Sequence, residues 1–353
     1  MSIVFAILLF SLLIFVHELG HFTVAKLSGV QVNEFALFMG PAIWQKQVGE
    51  TLYSIRSIPI GGFCAMEGED GDSDDPHSFD KAAWWKRFLI LVAGAAMNFL
   101  MGVILMVLVC LPVNRLAQPV IDSVEDYCTI SGEDGLQVGD RILSVDGERV
   151  YIQSDFSMIL SLHPSDVHDL VVKRNGEKVV LKNFYMEKHA VTDENGGERM
   201  LMGINFQVQE ATFGRKLQYA WNQSLDTVRL VRLSLQMLFS GKAGIRDMSG
   251  PVGIVHMMSE TAKASSTWAE ALWDLMYFGA FIAINLAVMN LLPIPALDGG
   301  RIVGLLVTTV AEWISGKRID PKYEGYLHGA GMIVLLGLMA VIMFKDIIFL
   351  FRG

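Results

Sequence analysis

Residues 2–24 read SIVFAILLFSLLIFVHELGHFTV, an apolar run that carries His17, Glu18 and His21 near its end. About 20 mostly apolar residues in a row are enough to cross a bilayer as a helix. On a helix, residues four apart share a face, so His17 and His21 project side by side. Ionisable groups inside a span are costly and usually functional. This one stretch therefore sets two expectations: a membrane span, and chemistry within it. A secretory signal peptide is the competing reading. The stretch lacks a basic n-region, and no small-residue cleavage site follows it. A retained helix is expected.

The rest of the chain agrees with a membrane setting. Of 353 residues, 52% are hydrophobic and 18% charged, whereas a soluble chain is about one-quarter charged. Spans mixed with a soluble part would give this average. Three further runs reach spanning length: Phe88 to Leu111, Ala271 to Leu292, and Ala330 to Phe351. A polytopic α-helical membrane protein with about four transmembrane helices is the expected fold. The net charge of -9 supplies no basic footprint, so no nucleic acid is expected as a partner. Cys64, Cys110 and Cys128 are too few and too scattered for a disulfide framework or a cysteine-based zinc finger.

Basic residues orient the spans. Lys26, Lys46, Arg56, Lys81, Lys86 and Arg87 lie between the first two spans, and Arg301, Lys317, Arg318 and Lys322 between the last two. Cytoplasmic loops are the ones rich in lysine and arginine. Both loops are expected inside, and both termini outside.

Four regions follow. Residues 1–111 hold the first two spans and an intervening hairpin. That hairpin is expected from Ile43 to Val48 and from Leu52 to Ile60, with Pro59 and Gly61-Gly62 closing the second run. Residues 112–210 read as an inserted β-rich domain, because Asp146-Gly147 and Asn175-Gly176 each separate short strand-like runs. Residues 211–270 are expected to form a peripheral region. Leu217, Ala220, Trp221, Leu225 and Val228 recur there at helical spacing among Arg215, Lys216, Arg229 and Arg232. That pattern suits an amphipathic helix on a membrane surface, or a helix packed on the β-rich domain. Residues 271–353 hold the last two spans.

His17-Glu18-Leu19-Gly20-His21 is the HExxH pattern, in which two imidazoles reach one metal ion and the glutamate serves as a base. A catalytic zinc takes three protein ligands and keeps one position open. The other histidines, His77, His163, His168, His189, His256 and His328, lie outside the apolar runs and read as surface residues. Asp298 is the better third ligand. It follows Asn290-Leu291-Leu292-Pro293-Ile294-Pro295, where two prolines end a helix and free carbonyls at membrane depth. A helix cap at Asp298 explains the spacing equally well.

Together these motifs resemble the site-2 protease family of intramembrane zinc metalloproteases, in its bacterial branch. Further matches are Pro59-Ile60-Gly61-Gly62-Phe63, Gly250 to Ile254, and Ala93-Gly94 with Asn98. The run from Gly135 to Gly147 resembles a PDZ domain of the kind this branch carries. Two departures are visible: Ala95 replaces a frequent proline, and one PDZ unit stands where some members have two.

The resemblance implies a zinc cofactor held by His17, His21 and Asp298, with Glu18 as general base and acid. It implies substrate binding by Asn290, Pro293 and Pro295, and by Ile55, Gly61 and Gly62 in a membrane-associated hairpin. The implied substrates are single-pass membrane proteins such as anti-sigma factors and signal-peptide remnants. The implied location is the bacterial cytoplasmic membrane, with the PDZ domain outside and the active site towards the cytoplasm. Two rival readings are a catalytically inactive scaffold and a metal transporter. Glu18 argues against the first, since a scaffold has no use for it. The single ionisable cluster argues against the second.

Overall fold

The computed structural model describes residues 2–69, 71, 73–125, 135–163, 165–186, 189–192, 198–241, 244, 250–265, 267–316 and 322–352. Cys128, Lys317 and Arg318 lie outside the described residues. The apolar runs fold as long helices: α1 (Ser2–Ser28), α2 (Trp84–Cys110), α6 (Trp268–Asn290) and α8 (Lys322–Arg352). Among the described residues, four segments are long and apolar enough to cross a membrane: Ala6–Ser28, Trp84–Cys110, Trp268–Asn290 and Gly325–Ile348.

Between α1 and α2 lie β1 (Val32–Val48) and β2 (Thr51–Met66), joined at Gly49-Glu50. The hairpin exists but is larger than expected. Its first strand begins eleven residues before Ile43, and its second runs through Gly61-Gly62 instead of stopping there. Phe38 (φ 72°), Gly40 (φ 83°) and Gly61 (φ 82°) are backward-turning residues that bend both strands. Such bulges carry strong local twist and bending. Each strand thereby splits into two halves, one paired on both sides and the other on one side only. Leu37 pairs with both Gly62 and Ile55, and Ile55 pairs with both Leu37 and Trp44. The order across the sheet is 62–66, 32–37, 51–56, 42–48.

This order corrects one expectation. Ile55 lies in an interior segment whose two sides are taken, so its backbone is closed to an incoming strand. The edges are 62–66 and 42–48. Arg56 pins the bend by donating to Glu34 (2.8 Å) and to the Gly40 carbonyl (2.7 Å).

Residues 107–226 form a compact unit of their own. Its strands are β3 (Arg115–Val124), β4 (Arg141–Val145), β5 (Glu148–Arg149), β6 (Val167–Arg174), β7 (Glu177–Tyr185), β8 (His189–Thr192), β9 (Glu198–Leu201) and β10 (Ile204–Glu210). The main sheet runs β10-β3-β4-β6-β7, with β5 against β4, and β8 and β9 pair separately. Ile121, Ile142, Val145, Leu170 and Val172 fill its core against α3 (Gln153–Leu162). Asp146-Gly147 and Asn175-Gly176 turn with positive φ at both residues, as expected of tight hairpins.

His168, expected at the surface, is buried. The period of two places it on the inward face with Leu170 and Val172. Its Nδ1 lies 2.7 Å from Asp146 Oδ2. Burial opposes ionisation of Asp146, but the bonds from His168 and from the Asp169 N–H outweigh it and hold the carboxyl below its ordinary range.

Helix α4 (Phe213–Phe239) spans most of the expected amphipathic stretch. One side, with Ala220 and Ser224, is buried, and Gln223 accepts from Ser154 of α3. Phe213, Leu217, Trp221 and Leu225 form an exposed stripe at four-residue spacing. Two further helices are α5 (Pro251–Ala264) and α7 (Asp298–Ser315). The last span also starts earlier than expected, which places His328 inside it.

Candidate metal centre

Helix α1 carries His17 and His21 on one face, with ring centroids 4.7 Å apart and edge-on. Two glycines let α2 come close to that face. A Cβ on Gly20 would lie 2.5 Å from the Ala93 carbonyl oxygen, and one on Gly94 would lie 2.3 Å from His21 Nε2. Small residues of this kind are how helices approach closely in membranes.

The facing stripe of α2 is Ile90, Gly94 and Asn98, spaced four apart. The Ile90 carbonyl is 2.8 Å from His21 Nδ1. It accepts the Nδ1 proton and leaves the Nε2 lone pair free to face inward. Asn98 is 3.4 Å and Asn290 3.5 Å from His17 Nδ1. The Asn98 rotamer that turns Oδ1 to this nitrogen fixes the same tautomer on His17 and gives that buried oxygen a partner.

Asp298 arrives from the other direction. Helix α6 stops at Asn290, and α7 begins at Asp298. Leu297 is the cap residue of α7, and no side chain caps that end. The cap reading of Asp298 therefore fails. Its Oδ2 points instead at His17 Nε2 (3.2 Å) and His21 Nε2 (3.4 Å). The first turn of α7 comes this close because it starts with Gly299-Gly300. A Cβ on Gly299 would lie 2.2 Å from the Leu292 carbonyl oxygen, and one on Gly300 2.3 Å from that of Ile294. Arg301 in the same turn pairs with Glu69, beyond the end of β2.

Three electron-pair donors thus converge, with the two Nε2 atoms 3.1 Å apart. Asp298 Oδ2 is buried and has no hydrogen-bond donor among the described residues. Converging acceptors need a cation between them. Ligands about 2.05 Å from a tetrahedral zinc stand about 3.3 Å from one another. The observed 3.1, 3.2 and 3.4 Å fit that geometry. His17, His21 and Asp298 could therefore hold zinc and leave a fourth position open.

Glu18 follows His17 on α1 and also borders the sheet. Its Cγ would lie 3.6 Å from a Cβ on Gly62, so the 62–66 edge runs past the glutamate. Gly61 supplies the bend just before that edge. Asn290 ends α6 beside His17. Pro293 lies in the turn after α6, and Pro295 packs against Gly300 and Gly331. The sequence reading assigned no role to Ile90, Gly94, Asn98 or His328. Gly94 and Asn98 entered that reading only as family matches.

An HExxH helix joined by a carboxylate from a second helix, among membrane-spanning segments, is the arrangement of a membrane zinc metalloprotease. The chain belongs to peptidase family M50, the site-2 proteases, whose family model matches residues 5–338. It is 36% identical over 351 residues to a protein of Clostridium perfringens named as a zinc metalloprotease, covering 99% of each chain. It is 27% identical over 431 positions to the regulator of sigma-W protease RasP of Bacillus subtilis, covering 98% of each. A zinc metalloprotease RasP of Geobacillus kaustophilus is 26% identical, covering 98% of this chain and 97% of that one. The chain is accordingly a zinc-dependent metalloprotease of the site-2 type.

Proposed function

We propose that the chain hydrolyses peptide bonds inside transmembrane segments of single-pass membrane proteins in the bacterial cytoplasmic membrane. Anti-sigma factors and signal-peptide remnants are the substrate classes we assign to it. One observation carries this reading: three candidate metal-ligand atoms converge at tetrahedral spacing, and the glutamate between the two histidines in sequence borders an open strand edge.

His17, His21 and Asp298 would hold the zinc. When bound, zinc supplies a Lewis acid that polarises the scissile carbonyl and makes water acidic enough to attack near neutral pH. Glu18 takes the proton of the attacking water and passes it to the leaving nitrogen.

A transmembrane helix hides its peptide bonds in its own hydrogen bonds, so it must unwind before it can be cut. The freed groups then need partners. The 62–66 edge offers backbone donors and acceptors for strand addition, beside Glu18. The Asn290 amide offers one more donor and acceptor. Pro293 and Pro295 keep the segment between α6 and α7 out of helix. The exposed side chains of Met39, Ile43, Trp44 and Ile58 at the far end of the sheet suit contact with lipid.

We assign the β-rich unit to the PDZ type, on the outer side of the membrane with both termini. Its role in this reading is to exclude substrates whose outer part is still bulky. The exposed stripe of α4 suits the membrane surface.

The test separates binding from chemistry. Glu18→Gln should keep its zinc and still capture a substrate span, yet cleave it slower by roughly two to four orders of magnitude. Near-normal cleavage in that variant would show that another group supplies the base.

A further inference from the structure

The third metal ligand follows directly on a strained turn. Leu297 N donates to the Ile294 carbonyl (3.1 Å), closing a four-residue turn with Pro295 and Ala296 at its centre. Ala296 has a φ of 82°. Proline second and a positive φ third mark a type II turn, whose third position normally takes glycine. Alanine would be unstrained in the type I turn, which differs by rotation of the Pro295–Ala296 peptide. The Ala296 N–H points to opposite sides in the two forms.

On the side it takes here stands His328. Its Nδ1 accepts the Ala296 N–H at 3.1 Å. One turn further along α8, a Cβ on Gly331 would lie 2.3 Å from Pro295 Cβ and 2.7 Å from its carbonyl carbon. His328 and Gly331 share a helix face. That face is shaped for this turn: a histidine for its N–H, and a missing side chain for its proline. On the opposite flank, Gly300 meets Ile294 and Pro295. The turn is therefore clasped between α7 and α8, and Asp298 follows it directly.

We propose that His328 is a positioning residue for the metal centre. By accepting the Ala296 N–H it selects the strained peptide orientation that aims Asp298 at His17 and His21. This rests on Asp298 being a zinc ligand, as assigned above.

The experiment uses the full chain in detergent. It reads the rate of zinc release to a chelator and the visible spectrum of the cobalt-substituted protein. His328→Ala should release zinc roughly 10- to 100-fold faster, the usual size of a supporting-shell effect, and change the cobalt spectrum. His328→Asn, whose Oδ1 can stand where Nδ1 stood, should stay near wild type. Ala296→Gly should restore slow release to His328→Ala, because glycine adopts positive φ without strain. A histidine that merely packs α8 would not be rescued in that way.

Unchanged release and spectrum in His328→Ala would overturn the proposal. So would a defect that neither His328→Asn nor Ala296→Gly relieves. Asp298→Ala serves as the control. If it keeps zinc, the ligand assignment itself fails. If it loses zinc while His328→Ala does not, only the role of His328 fails.

Discussion

His17 and His21 stand on an uninterrupted helix, whereas Asp298 stands just past a turn with Ala296 at a φ of 82°. The histidine half is placed by regular geometry. Four residues of helix set the spacing, and a neighbouring helix supplies the Ile90 carbonyl that orients one ring. The carboxylate half is placed by irregular backbone, at a conformational cost of about 1–2 kcal/mol for a non-glycine residue at positive φ. It needs outside support, from Gly299-Gly300 on one side and from α8 on the other. The lesson is that a local motif can be written in five consecutive residues, but a ligand brought from afar needs a frame drawn from several elements.

This contrast can be broken in graded steps. The largest effect is expected from Gly94→Ala. Its methyl group would enter the space of His21 Nε2 and His17 Cε1, in the cluster proposed to hold the zinc. Zinc content should fall from about one per chain to a small fraction of that. Overpacking should also cost about 1–3 kcal/mol of stability. Full zinc content in this variant would show that α2 does not press on the site.

Gly300→Ala probes the other half. Its methyl group would lie 2.3 Å from the Ile294 carbonyl oxygen, so the backbone before Asp298 must shift to admit it. Zinc should remain bound but roughly tenfold more weakly. A loss as complete as in Gly94→Ala would erase the distinction between the two halves. The smallest effect is expected from Asn98→Ala, which removes only a partner of His17 Nδ1. Zinc affinity should drop by about tenfold or less, with His21 still held by Ile90. A larger drop than in Gly300→Ala would make tautomer control, not carboxylate placement, the weaker link.

The same contrast explains what was legible in the sequence. The four apolar helices, the HExxH face and the Asp146-Gly147 and Asn175-Gly176 turns obey local rules of length, period and turn chemistry. They appear close to where those rules put them. The sheet between α1 and α2 was only half legible. Phe38 turns backward although nothing about phenylalanine announces it, and that bend doubles each strand and moves Ile55 inside. His168 was misread because its strand alternation was not followed through, and His328 because hydropathy alone started the last span too late. Asp298 could be nominated from the sequence, but its choice between cap and ligand depended on packing between α7 and α1, which no local pattern encodes.

The central claim is that one zinc is held by two imidazoles and one carboxylate drawn from these two unlike halves. X-ray absorption spectroscopy of the zinc-loaded chain and of Asp298→Ala tests it most directly. The account predicts a nitrogen and oxygen shell at about 2.0–2.1 Å with scattering from two imidazoles, and a changed or depleted shell in Asp298→Ala. A third imidazole, a sulfur ligand, or an unchanged spectrum in Asp298→Ala would contradict it.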